Sequence, residues 1–229
     1  MRSTGYETQN HCSCSHQRGR WQNHNRLQLS IAKAKKGADV WLIDGDRQRT
    51  ATIALTLRDS QKVKPLVACA SYPEGQLLKS QVQLQRDKWD AIVIDVGGFD
   101  SSTLRAALLL CDVLLVPFQP RSFDIWGLSA MSKLVQEAKT ARRGRPLKAY
   151  AVLNSADTSP SGSENEDAVM ALQDFPELTL LDTKLCRRKA YATSSGFGMG
   201  VSELKVKDKK AMAEVNALVE AVFADWETE

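Results

Sequence analysis

Apolar residues in this chain fall into short runs, each closed by a polar or turn-forming residue and followed by a segment of helical period. Val40–Ile43, Leu66–Ala70, Ala91–Ile94, Val113–Val116, Ala149–Leu153 and Leu178–Leu181 read as strands. They are short and rich in Val, Ile and Leu, as expected of strands buried on both faces of a parallel sheet. Between them, Leu27–Lys36, Thr50–Leu57, Gly75–Arg86, Ser101–Leu110, Phe123–Ala141, Ala168–Gln173 and Lys209–Trp226 carry helical patterns, the first with Gly37 as its C-cap. Strand and helix alternate throughout. The pattern predicts an α/β fold, a mostly parallel twisted sheet with helices on both faces, in three layers and with right-handed crossovers.

Residues 1–26 break this pattern. They hold all three histidines (His11, His16, His24), two of the five cysteines, and no large apolar residue beyond Met1, Tyr6 and Trp21. Such a segment has no face to bury, and it is expected to be disordered or non-native, leaving 27–229 as a single domain. A zinc site on His11–His16 would account for six of these residues only.

Composition changes the picture little. The chain has 229 residues, 43% hydrophobic and 25% charged, with net charge +4. This is ordinary globular composition with a mild basic bias that permits contact with nucleic acid. The odd set of scattered cysteines suggests a reducing, cytoplasmic setting. No apolar run approaches the length of a membrane span, and the C-terminal stripe Met212, Val215, Leu218, Val219, Val222, Phe223 and Trp226 reads as packing on the core. The opposite face of that helix carries Glu214, Glu220, Asp225 and Glu227, which an anionic membrane would repel.

Candidate chemistry gathers at strand ends. Asp95 follows Ile92-Val-Ile94, and a carboxylate there can hold magnesium directly or through water. Gly97-Gly98 next to it permits close backbone approach. Asp44 and Asp46 leave the sheet together, two residues apart. Pro117 is expected to end the third strand, and Asn154 closes the strand Ala149–Leu153.

Together these segments resemble the ParA/MinD group of P-loop ATPases. Val40–Thr50 is similar to that family's strand ending in IDxDPQ, although Arg47 stands where proline is usual. Ala91–Asp95 resembles its Walker B strand, Asp112–Leu128 (DVLLVPFQPRSFDIWGL) the segment that closes over the nucleotide, and the AVLN ending at Asn154 a base-contacting strand end. A family member carries KGGVGKTT ahead of its first helix. Here the same place reads Gln17-Arg-Gly-Arg-Trp-Gln-Asn-His-Asn25.

A one-base shift of frame accounts for the difference. Trp21 has the single codon TGG and Gln22 begins with C, so the shifted codon is GGC, glycine. Gln22 into Asn23 then reads lysine or arginine, and the next two steps each read threonine or isoleucine. Codons exist that turn Gln17–Arg20 into Lys-Gly-Gly-Val and Asn10–His16 into β-branched residues and alanine. Arg26–Gln28 can read Ala-x-Asn, after which Leu29 restores the frame. Residues 7–28 are therefore read as a frameshifted strand and P-loop.

The resemblance implies ATP and Mg²⁺ as cofactors. Phosphates would lie on the loop positions now held by Gln17, Gly19, Gln22 and Asn23, with further nucleotide contacts at Pro117 and Asn154. Mg²⁺ would be supported by Asp95, the attacking water positioned by Asp46, and Asp44 would assist. It also implies plasmid or chromosome partitioning by an ATP-dependent homodimer on non-specific DNA, nucleoid-associated and stimulated by a ParB-like adaptor. Arg187, Arg188 and Lys189 are the preferred DNA contacts. As the sequence stands, Gln17 and Gln22 supply no charge and Arg18 and Arg20 replace glycines, so ATPase activity is expected to be lost. A nucleotide-independent module binding DNA or a partner, and a ParA-like factor in conjugative DNA transfer, are the alternatives.

Overall fold

The computed structural model describes residues 9–14, 24–97, 100–120, 122–158 and 164–224. In chain order the elements are β1 (Gln9–Cys14), α1 (His24–Lys35), β2 (Val40–Asp44), α2 (Thr50–Ser60), β3 (Ala68–Ser71), α3 (Gly75–Gln85), β4 (Ala91–Val96), α4 (Ser102–Leu110), β5 (Val113–Phe118), α5 (Ser122–Ala141), β6 (Lys148–Ala156), α6 (Glu164–Leu172), β7 (Thr179–Cys186), α7 (Lys189–Gly196) and α8 (Lys209–Phe223). The strands form one seven-stranded sheet in the order β3-β2-β4-β1-β5-β6-β7, parallel throughout.

Strand alternation divides the core into two layers, because successive side chains leave a strand on opposite faces. Trp41, Ile43, Ile92, Ile94, Leu114 and Val116 face α3, α4, α5 and α6. Val40, Leu42, Ala91, Val93, Val113 and Leu115 face α1, α2, α7 and α8. The expected three-layer α/β architecture is thus the one observed, and every strand and helix expected from Leu27 onward has its counterpart.

The differences are local. β5 runs on through Pro117 to Phe118, because its pairing with β1 stops at Leu115 and the missing proline N–H breaks no ladder on that side. β7 extends to Cys186, well past Leu181, since as an edge strand it tolerates the exposed Asp182 and Lys184. Helix α7 was not expected: KAYATSSG is poor in helix formers, and it is held by burial of Tyr191 and Ser194, three apart on one side. The C-terminal stripe packs as expected, with Val215, Leu218, Val219, Val222 and Phe223 buried against α1 and β7. Trp226 lies outside the described residues.

β1 carries the largest conflict between sequence and position. It pairs with β4 on one side and β5 on the other, in the middle of the sheet, yet reads Gln-Asn-His-Cys-Ser-Cys. Strands so placed are ordinarily runs of Val, Ile and Leu. The conflict continues into α1, where Asn25, Arg26 and Gln28 are as fully buried as Leu27, Leu29 and Ile31. A helix buried on all sides is expected to be apolar all round.

Candidate functional site

The site lies along the C-terminal edge of the sheet, where β2 and β4 end side by side. Asp44 is in register with Asp95, and the Gly45 N–H donates to the Asp95 carbonyl at 2.6 Å. Both carboxylates are buried. Asp44 Oδ2 accepts from the Thr52 N–H (2.8 Å) and the Thr52 hydroxyl (2.9 Å), while Oδ1 accepts from the Asp46 N–H (3.1 Å). Asp44 therefore locks the loop from Asp44 to Thr52 onto the start of α2.

Asp46 sits above Gly97. A Cβ at Gly97 would collide with the Asp46 carboxylate, so glycine is what allows the two strand-end loops to meet there. The close approach that Gly97 permits is, in the structure, that of the Asp46 side chain. The Asp46 side chain also accepts from the Gln48 N–H at 3.0 Å, forming an Asx-type turn. Left-handed Arg49 (φ 53°) then leads the chain into α2.

Asp95 has an unexpected partner. Arg26 of α1 places its guanidinium on Asp95 Oδ1, and both side chains are essentially excluded from solvent, at 2% and 1% exposure. Burial pushes the Asp95 carboxyl up to about 6, against the pull of Arg26, with the neighbouring charge of Asp44 adding to the rise. Among the described residues no cluster of three or more His, Cys, Asp or Glu side chains converges as a metal site. With a fixed cation on Asp95 and Asp44 already held by three protein donors, the residues present do not fit Mg²⁺.

β6 runs two residues past Asn154, to Ala156; Asn154 lies where the β6–β7 register shifts, and Ser155 beside it is left-handed (φ 55°). Such a bulge re-aims a side chain at a strand end. The Asn154 amide nitrogen is buried with no hydrogen-bond partner among the described residues, an orphan donor that fits a ligand acceptor. Pro117 is buried within β5, next to β6 in register with Val152. Gln17, Gly19, Gln22 and Asn23 lie outside the described residues.

The basic clusters separate by role. Arg188 is tied to Glu214 of α8 through Nε (2.8 Å) and Nη2 (2.7 Å), and Glu214 also accepts from the Tyr191 hydroxyl (2.8 Å) and the Cys186 N–H (3.1 Å). Arg187 and Lys189 flank it and are exposed. In the basic turn Arg142-Arg-Gly-Arg145 that follows α5, Arg142 is buried and donates to the Leu108 (2.8 Å) and Cys111 (2.7 Å) carbonyls at the end of α4. Arg145 donates to the Leu110 carbonyl. These two arginines cap a helix C-terminus, a role the sequence did not reveal because their acceptors lie more than thirty residues away.

Comparison with known proteins bears on the fold. No family model and no curated protein matches the sequence. Solved structures match over nearly the whole chain. An ATP complex of a McdA variant from Cyanothece superposes with a TM-score of 0.77 at 14% identity, covering 96% of this chain and 98% of that one. A putative plasmid partition protein from Borrelia burgdorferi bound to AMPPNP gives 0.70 at 14% identity, covering 96% and 99%. The cell division ATPase MinD of Pyrococcus furiosus gives 0.66 at 19%, covering 95% and 99%. The fold is that of the ParA/MinD-type P-loop ATPases. Among the described residues no helix is long and apolar enough to cross a membrane.

Proposed function

We propose that this chain derives from a ParA-like ATPase of the partitioning or positioning kind, and that residues 7–28 carry its first strand and P-loop in a shifted reading frame. The polar strand β1 in the middle of the sheet carries this reading. The fold calls for an apolar strand there, a shifted frame can supply one, and the buried polar residues Asn25, Arg26 and Gln28 fall in the segment that the shift spans. In the intact frame the loop N–H groups and the N-terminus of α1 would cradle ATP phosphates. Asp46 would position water, Asp44 would fix the loop that carries it, and Asn154 would contact the base. In that frame position 26 would no longer be arginine, and Asp95 would be the carboxylate supporting Mg²⁺, which would supply charge stabilisation to the phosphates.

The partners of this reading are a second copy joined through ATP, non-specific DNA on a nucleoid, and a ParB-like adaptor. Arg187 and Lys189 would meet phosphates while Arg188 holds them in place through Glu214. As the chain stands it neither binds nor hydrolyses ATP appreciably, and Arg26 on Asp95 favours a nucleotide-independent state. Isothermal titration of Mg·ATP into two proteins tests this: the chain as given, and the chain with the frame restored across residues 7–28. No heat from the first and micromolar affinity in the second are expected. Micromolar affinity in the first overturns the reading, and resequencing the opening of the gene shows whether the shift is real.

A further inference from the structure

We propose that Arg26 is a built-in cation that takes the place of a divalent metal at Asp95 and closes the acidic strand ends of this chain to magnesium. The inference rests on the P-loop ATPase reading only in taking Asp95 as the metal-facing carboxylate. A buried carboxylate needs a counter-charge, because the interior solvates ions poorly. Where β2 and β4 end together, the described residues offer Asp95 one such charge, the guanidinium of Arg26, in direct contact and shielded from water. Magnesium requires an octahedral shell of oxygens, mostly water or phosphate at a site with few carboxylates. A fixed guanidinium on the same carboxylate repels a divalent ion at short range and occupies the coordination space. Asp44 is no substitute ligand, since both its oxygens are engaged by Thr52 and Asp46. Arg26 also lies within the segment of the proposed frame shift, so on that separate reading one event would account for both the missing phosphate loop and the plugged metal position.

The test is a titration of MnCl₂ into the full chain, read by loss of the free-ion EPR signal, with thermal midpoints measured with and without Mn²⁺. The chain as it stands is expected to show no saturable binding and no shift in midpoint. Arg26→Met leaves the Asp95 charge buried alone. It is expected to lower the midpoint by about 10 °C and to regain part of that on addition of Mn²⁺. Arg26→Met combined with Asp95→Asn should recover stability without metal and bind none. Saturable Mn²⁺ binding by the unaltered chain that Asp95→Asn abolishes overturns the proposal, as does an Arg26→Met variant with unchanged stability or no response to metal. Should Arg26→Met fail to fold, the double variant decides: restored folding supports the pairing, and continued failure overturns it. The frame-restored chain tests the ATPase reading, whereas this titration uses the chain as given, so each can fail without the other.

Discussion

At the scale of single residues, this molecule is governed by groups placed where their neighbours leave one option. Gly97 is the clearest case, since the Asp46 carboxylate occupies the space that a side chain would need. Gly97→Ala is expected to displace Asp46. In the frame-restored chain this should lower ATP turnover about a hundredfold with ATP affinity retained, by steady-state kinetics beside titration. Arg142 is the counterpart in stability. It satisfies carbonyls at the end of α4, and Arg142→Ala should cost about 2–4 kcal/mol in urea unfolding, as buried acceptors lose a charged donor. Glu214→Ala releases Arg188 and leaves the Tyr191 hydroxyl with the Ala211 carbonyl alone. If Arg187 and Lys189 contact DNA, this variant weakens salt-sensitive DNA binding although Glu214 is itself an anion, and a fluorescence anisotropy titration checks the sign.

At the scale of elements, β1 and α8 are opposites. In α8 the apolar stripe, its spacing and its burial agree, and Phe223→Ala should cost about 3–5 kcal/mol as a core truncation. In β1 the backbone is paired on both sides while the sequence is polar. Exchanging Gln9–Cys14 for Val, Ile and Ala should raise stability, by about 1–3 kcal/mol for each large side chain that becomes buried, and a higher urea midpoint would record it. Most elements were legible in the sequence because their periodicity is strong and their cores are local in pattern. α7 was not, because its helicity comes from docking against α1 and α8 and its residues have little intrinsic preference for helix. The full length of β7 was hidden for a related reason: an edge strand alternates and tolerates charge, which reads as loop.

At the scale of the whole molecule, seven parallel strands in this order bring residues from distant segments to one edge. Asp44, Asp46, Asp95 and Asn154 were recognisable one by one as strand-end polar groups after apolar runs. Their types and offsets suffice for that, and the α/β class follows from the alternation of strand and helix. The shifted frame proposed for residues 7–28 was likewise suggested by the sequence, since codon constraints on Trp21 and Gln22 need no structure. What required tertiary structure was every pairing across the fold: Arg26 with Asp95, Gly97 beneath Asp46, Arg142 on α4, and Arg188 with Glu214. Those contacts join residues that chain periodicity leaves uncorrelated. Short-range pattern decides which face of an element is buried, whereas packing in three dimensions decides which polar group answers which charge.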